Sequence, residues 1–219
     1  MKIGIAVAAA DALPSAFVVF RDDLCRCVER AAALGYDGVE LALLSAGQVD
    51  VPSMKRRLAA TGLEIPCISS GQVFAADHLY FTHPQPAVRE AAVSRIIGMI
   101  RLAAEFGAKV NTGRVRGLIH DGETTGIAKD RYLSCLNRCA DVAEPLGVEL
   151  IVEPVNRYEI NFINSVYPDA VDLMHKIDRP NVKIMPDVFH MNIEDASIHG
   201  SFERAGKLTG YVHRSTASG

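Results

Sequence analysis

Three short stretches carry side chains able to hold a cation or move a proton. In the first, Glu153-Pro154-Val155-Asn156-Arg157-Tyr158-Glu159, the apolar run Leu150-Ile151-Val152 stops at a carboxylate and a proline. The second is Pro186-Asp187-Val188-Phe189-His190-Met191-Asn192, and the third is Tyr211-Val212-His213. Carboxylates and imidazoles are oxygen and nitrogen donors that suit Mn²⁺, Mg²⁺, Co²⁺ or Zn²⁺, and the lack of thiolates among them argues against a purely structural zinc. Each residue alone also has a plainer reading. Glu153 could be a strand end turning its charge to solvent, Asp187 could cap a following helix, and His190 or His213 could be satisfied core histidines. Recurrence raises the chemical reading, because similar polar endings follow three successive strand-like runs.

Such endings converge only if the strands run the same way round one axis. Strand-like runs at 3–8, 38–43, 65–69, 109–113, 149–153, 182–187 and 209–213 alternate with amphipathic helical stretches, the pattern of a parallel α/β fold. Asp22 and Asp23 open the first helix, Leu24, Val28, Ala31 and Leu34 form its apolar face, and Gly35 stops it. Pro52 and Gly62 bracket the second. A longer helix follows Pro86 with Val93, Ile96, Ile97 and Ile100 inward, and further helices are predicted near 128–146, 166–177 and 198–205. Two closures compete, an open doubly wound sheet and a (β/α)₈ barrel. The turn Ala8-Ala9-Ala10-Asp11-Ala12 has none of the glycines that a dinucleotide-binding sheet needs after its first strand, which favours the barrel. Barrel enzymes keep their chemistry at the C-terminal rim of the strands. Earlier strands add Glu40, Gln72, Arg114 and Arg116 as rim candidates. Either arginine could hold a carboxylate or phosphate, or pair at the surface with Asp121 or Glu123. His78, His83 and His120 fall in loops over the same face, while His175 and His199 read as helix-surface residues.

Composition limits the partners. The chain has 219 residues, 49% hydrophobic and 22% charged, ordinary for one soluble enzyme-sized domain over 1–219. A net charge of −3 provides no basic field for nonspecific phosphate binding, so no nucleic-acid partner is expected. No run approaches the roughly 18 apolar residues of a membrane span, and Met1-Lys2-Ile3-Gly4 reads as a first strand rather than a leader. Five cysteines without a leader fit a reducing, cytoplasmic setting. Cys25 and Cys27, and Cys135 and Cys139, have spacings that could bind metal or pair, but without partner ligands the plainer reading is small buried helix residues.

The Glu153–Glu159 motif, Asn161-Phe162-Ile163-Asn164 and Asp187-Val188-Phe189-His190-Met191-Asn192-Ile193-Glu194 closely resemble the xylose-isomerase-like barrel family of sugar isomerases and epimerases. The nearest subgroup is the ketose 3-epimerases of the D-tagatose and D-psicose type, with their keto-sugar-acid relatives. The likeness runs over essentially the whole chain and includes Gly35-Tyr36-Asp37-Gly38-Val39-Glu40 and Ser70-Gly71-Gln72. It implies that Glu153 is both a metal ligand and a proton-transferring carboxylate, that Asp187 and His213 are further ligands, and that Glu159 and His190 contact substrate, while Gln72 and Arg116 join them as expected substrate-binding residues by their position at the rim. A divalent cation, Mn²⁺ first, chelated by two substrate oxygens would stabilise an enediolate. Proton return on the opposite face epimerises the carbon, and return to the adjoining carbon isomerises the sugar.

Two departures from the family pattern stand out. After His213 the family carries an Ala-Asp-Ser-Asn-Arg-like stretch, whereas this chain reads Arg214-Ser215-Thr216-Ala217-Ser218-Gly219. The family's eighth βα unit, which the resemblance credits with a fourth ligand and second catalytic carboxylate, is expected to be missing. The expected fold is therefore an incomplete barrel of about seven strands. Its exposed strand edges call for a covering chain, hence a homo-oligomer, and its epimerisation is expected to be impaired. Two other readings stand beside this one. An endonuclease IV-like metal hydrolase would need a denser ligand set and a basic groove. A sugar-binding relative without turnover would keep Asp187, His190 and Glu159.

Overall fold

A computed structural model describes residues 1–214, and the departing segment 215–219 lies outside them. Seven strands form one parallel sheet. They are β1 Gly4–Ala8, β2 Phe20–Arg21, β3 Gly38–Ala42, β4 Cys67–Ser69, β5 Lys109–Asn111, β6 Leu150–Val152 and β7 Val182–Ile184, in the order β2-β1-β3-β4-β5-β6-β7. From β3 onward each strand lies beside its successor in sequence, as helical crossovers of one hand require. Among the described residues no helix is long and apolar enough to cross a membrane.

Helices follow local signals where those signals are strong. α1 (Leu24–Ala33) starts at Asp23, whose side chain accepts from the Arg26 amide. α2 (Val51–Thr61) has proline in its first turn and ends where Gly62 takes a left-handed conformation. α4 (Pro86–Ala104) and α5 (Thr125–Ala143) lay Val93, Ile96, Ile100, Leu136 and Cys139 into the core. Leu34 departs from the expected apolar face. It is 64% exposed, because α1 closes at Ala33 and Gly35 turns the chain away. α6 (Val171–Ile177) follows an irregular turn, Val166–Ala170, and α8 (Ile198–Ala205) matches its expected range. Two seven-residue helices, α3 (Gly71–Asp77) and α7 (Val188–Glu194), directly follow β4 and β7 without an amphipathic period long enough to announce them.

The expected strand 209–213 is a looser row. Thr209 and His213 bridge in parallel to Ile184 and Asp187, Gly210 donates to Ile184 O at 2.9 Å, and His213 donates to Pro186 O at 2.9 Å. Pro186 has no N–H to return, so the row makes bridges rather than a continuous ladder. Conversely β2, pairing Phe20 and Arg21 with Val7 and Ala8, is too short to show in the sequence.

The sheet curls into a barrel, as one contact establishes. Glu40 of β3 and His213 are separated by five strand spacings, roughly 24 Å across a flat sheet at about 4.8 Å each. Their side chains meet at 2.7 Å. The interior ends of the strands therefore face one another, and the core behind them is apolar, with Val110, Leu150, Val152 and Ile184 fully buried.

Candidate active site

Glu153 is the first residue past β6, and neighbouring backbone prepares its place. Asn111 ends β5, and its Nδ2 donates to Glu153 Oε2 at 2.8 Å while its Oδ1 accepts from the Gly113 amide at 2.7 Å. A Cβ at Gly113 would lie 2.9 Å from Glu153 Oε2, so any larger residue there would displace the carboxylate. On the far side, Arg116 Nη1 donates to the Glu153 carbonyl at 2.6 Å.

Asp187 begins α7 and does two jobs. Its Oδ1 accepts from the Phe189 amide at 2.8 Å, so the helix-cap reading holds. Its Oδ2 faces the rim, 3.9 Å from His190 Nε2 and 4.0 Å from His213 Nδ1. The cap and ligand readings are thus compatible, one oxygen serving each. His213 Nδ1 stands 3.4 Å from Glu153 Oε1, and its Nε2 lies 2.7 Å from Glu40 Oε2. Ser69 donates its hydroxyl to the other oxygen of Glu40.

The charges are strongly coupled. Burial works against ionisation of Glu153, yet hydrogen bonding and charge from His213, with help from Asn111, lower its pKa to about 2. At His213 burial opposes the charged form, and the carboxylates of Glu40 and Glu153 overcome it, raising the pKa to about 11. Burial and then the repulsion of Glu153 push Asp187 upward. Two carboxylates that destabilise each other beside an imidazole are a donor set that a divalent cation would relieve. Donor atoms of Glu153, Asp187 and His190 lie within 4.8 Å of one another. His213 is as well placed against the two carboxylates, so distance leaves two histidines competing for one role.

The remaining expected residues divide. Glu159 reaches the rim, where Oε1 accepts from Asn156 Nδ2 at 3.0 Å and Oε2 lies 3.7 Å from Arg114 Nη1. Gln72 is buried with its Nε2 committed to Ala42 O at 2.6 Å, while its Oε1 has no protein partner. Arg116, expected at substrate, is wholly buried behind Glu153 with its guanidinium over the Phe162 ring. Only Nη1 is committed to the Glu153 carbonyl, and the buried Nε and Nη2 have no protein partner. Neither arginine forms the expected surface pair, since Glu123 is held by Arg131 and Arg114 turns to Glu159 and Phe17. Asn111 had no sequence signal beyond a polar residue closing an apolar run. Cys25 is half-buried and Cys27, Cys135 and Cys139 are buried on their helices, as the plainer reading expected, and Cys67 is buried on β4.

A curled parallel sheet with two carboxylates and two histidines at its C-terminal rim has the architecture of an α/β barrel and a donor set that could hold a divalent cation. Residues 28–217 match the xylose isomerase-like TIM barrel family, and the chain belongs to it. It is 28% identical over 190 residues to a ketose 3-epimerase of Arthrobacter globiformis, covering 85% of this chain and 63% of that protein. To an L-ribulose 3-epimerase of Methylomonas sp. it is 29% identical over 194 residues, covering 86% and 65%. The crystal structure of D-psicose 3-epimerase with D-tagatose from Clostridium cellulolyticum H10 superposes with a TM-score of 0.78 at 25% identity, over 98% of this chain and 73% of that one. The chain thus spans about two thirds of the length of these curated relatives.

Proposed function

We propose that the protein is a divalent-cation-dependent ketose 3-epimerase or related keto-sugar isomerase, acting on a small sugar or keto-sugar acid with Mn²⁺ as the preferred ion. The observation that carries this reading is the convergence of Glu153, Asp187 and His213 from three successive rows of the sheet, with His190 and Glu159 beside them. Kinship with named 3-epimerases supports the reaction class.

Glu153, Asp187 and His213 would hold the cation, which when bound acidifies the C–H beside the substrate carbonyl. Glu153 is the base. Its carboxylate is kept ionised by His213 and Asn111, and the Asn111 hydrogen bond holds one of its oxygens in place. Glu159 and His190, tied together through Asn156, are placed to hold substrate hydroxyls. The net charge of −3 gives none of the overall basic field that favours a phosphate-backbone substrate, which supports the sugar reading over the hydrolase one.

The test is an epimerase assay of the purified chain with Mn²⁺ on D-fructose, D-tagatose and their keto-acid analogues, run in D₂O. Deuterium appearing at C3 reports proton removal even where inversion is slow. Glu153→Gln is expected to lower exchange by about 10²- to 10⁴-fold, the range of a positioned general base. Sugar binding without exchange in the wild type would instead establish a binding protein without turnover.

A further inference from the structure

The two rim histidines are wired in opposite senses. His213 Nε2 sits 2.7 Å from Glu40 Oε2, and Glu40 is buried on β3 with its other oxygen taken by Ser69. An ionised carboxylate only accepts, so Nε2 must carry the proton, and the lone pair of neutral His213 lies on Nδ1. That nitrogen faces Glu153 and Asp187.

At His190 the arrangement is reversed. Asn156 Oδ1 accepts from the Tyr158 amide at 3.0 Å, which orients the side-chain amide. Its Nδ2 then points at two atoms, Glu159 Oε1 at 3.0 Å and His190 Nδ1 at 2.8 Å. Glu159 requires a donor there, so Nδ2 cannot be exchanged for Oδ1, and His190 Nδ1 must accept. The proton of neutral His190 is therefore on Nε2, the nitrogen facing Asp187. It can donate to a carboxylate or a substrate oxygen, and has no lone pair for a cation.

We propose that Glu40 and Asn156 are positioning residues that set opposite tautomers at His213 and His190, and so fix the ligand and hydrogen-bond-donor roles already given to these two rings. This rests on the cation-dependent reading above. Distance alone does not decide between the histidines, whereas the partners of their outer nitrogens do. Metal-bound histidines generally hold their second N–H against a carboxylate or carbonyl, and losing that partner costs about 10- to 100-fold in metal affinity.

Long-range ¹H–¹⁵N spectra of the protein labelled at histidine and loaded with diamagnetic Zn²⁺ read the tautomers without substrate. His190→Asn assigns the two rings. The expected spectrum has His213 metallated at Nδ1 and protonated at Nε2, with His190 protonated at Nε2 and bare at Nδ1. A proton on His213 Nδ1 in the Zn²⁺-loaded protein, or loss of the His190 Nε2 proton on Zn²⁺ addition, would overturn the assignment. Zn²⁺ titration by calorimetry supplies the second arm. Glu40→Leu, which removes the acceptor, is expected to weaken binding by about 10- to 100-fold, and Glu40→Gln, which keeps one, to retain most of it. Equal affinity in all three proteins would sink the positioning role while leaving the cation site standing. A wild type that binds no Zn²⁺ would sink both. Should Glu40→Leu fail to fold, the wild-type spectrum and Glu40→Gln still decide.

Discussion

The two ends of the sheet are built to different standards. At the β6–β7 end, Leu150, Ile151 and Val152 are fully buried, and the strand pairs residue for residue with β7. Every rim side chain there has its partners assigned: Asn111 and Gly113 around Glu153, the α7 amide and two histidines around Asp187, Asn156 between Glu159 and His190. At the β2 end a two-residue strand pairs with β1 over a small cluster of Ala8, Ala12 and Ala42. Phe17 and Val19 beside it are 79% and 64% exposed. The loop before β2 is held by Arg21, whose Nη2 donates to Pro14 and Ala16 carbonyls, and by Arg114 over Phe17. Proton transfer needs a carboxylate fixed in angle and charge, which takes several independent constraints per side chain. The loop before β2 is held by fewer contacts, those of Arg21 and Arg114.

This contrast predicts where the molecule should be sensitive. The largest effect is a pH window of the cation-free protein. Glu153, depressed to about 2, contributes stability that is present above its ordinary value of 4.5 and lost as pH falls toward 2. His213, raised to about 11, contributes stability that is present below 6.5 and lost as pH rises toward 11. Melting temperatures of chelator-treated protein should therefore be highest between about pH 4.5 and 6.5 from this pair, falling on either side. The double variant Glu153→Gln/His213→Asn should flatten that dependence, and an unchanged profile would show that the rim is not the coupled unit described. Next comes Gly113→Ala, whose added methyl meets Glu153 Oε2 and Asn111 and should cost about 1 to 3 kcal/mol in urea unfolding. A cost near zero would mean that the Glu153 carboxylate yields. Smallest is Val19→Ser, expected within about 0.5 kcal/mol of wild type in the same unfolding measurement. A loss as large as that of Gly113→Ala would make the β2 end as tightly built as the other.

Much of the framework was legible from local chemistry. Asp23, Gly62 and the proline starts of α2 and α4 are side chains that act within one helical turn, so their signals sit next to what they cause. Glu153 and Asp187 were legible because each breaks an apolar run with a charge. Short elements were not: β2, α3 and α7 are too brief for a period to rise above chance, and Leu34 obeyed the period of α1 one residue past its end. The burial of Arg116 was illegible for another reason. Its place after a strand suggested the rim, but the turn at Arg114–Arg116 carries it behind Glu153, where a buried guanidinium supports the strand end.

By itself, the amino-acid sequence determined the parallel α/β class, the order of its elements and the carboxylates that end β6 and open α7, because periodicity, caps and interrupted apolar runs are properties of neighbouring residues. Only the tertiary structure decided that Glu40 reaches His213 across 173 residues, that Asn156 turns its amide nitrogen to His190, and that Arg116 lies behind the rim. Those outcomes depend on how the sheet curls, and curvature is set by the packing of the whole barrel rather than by any one stretch of chain.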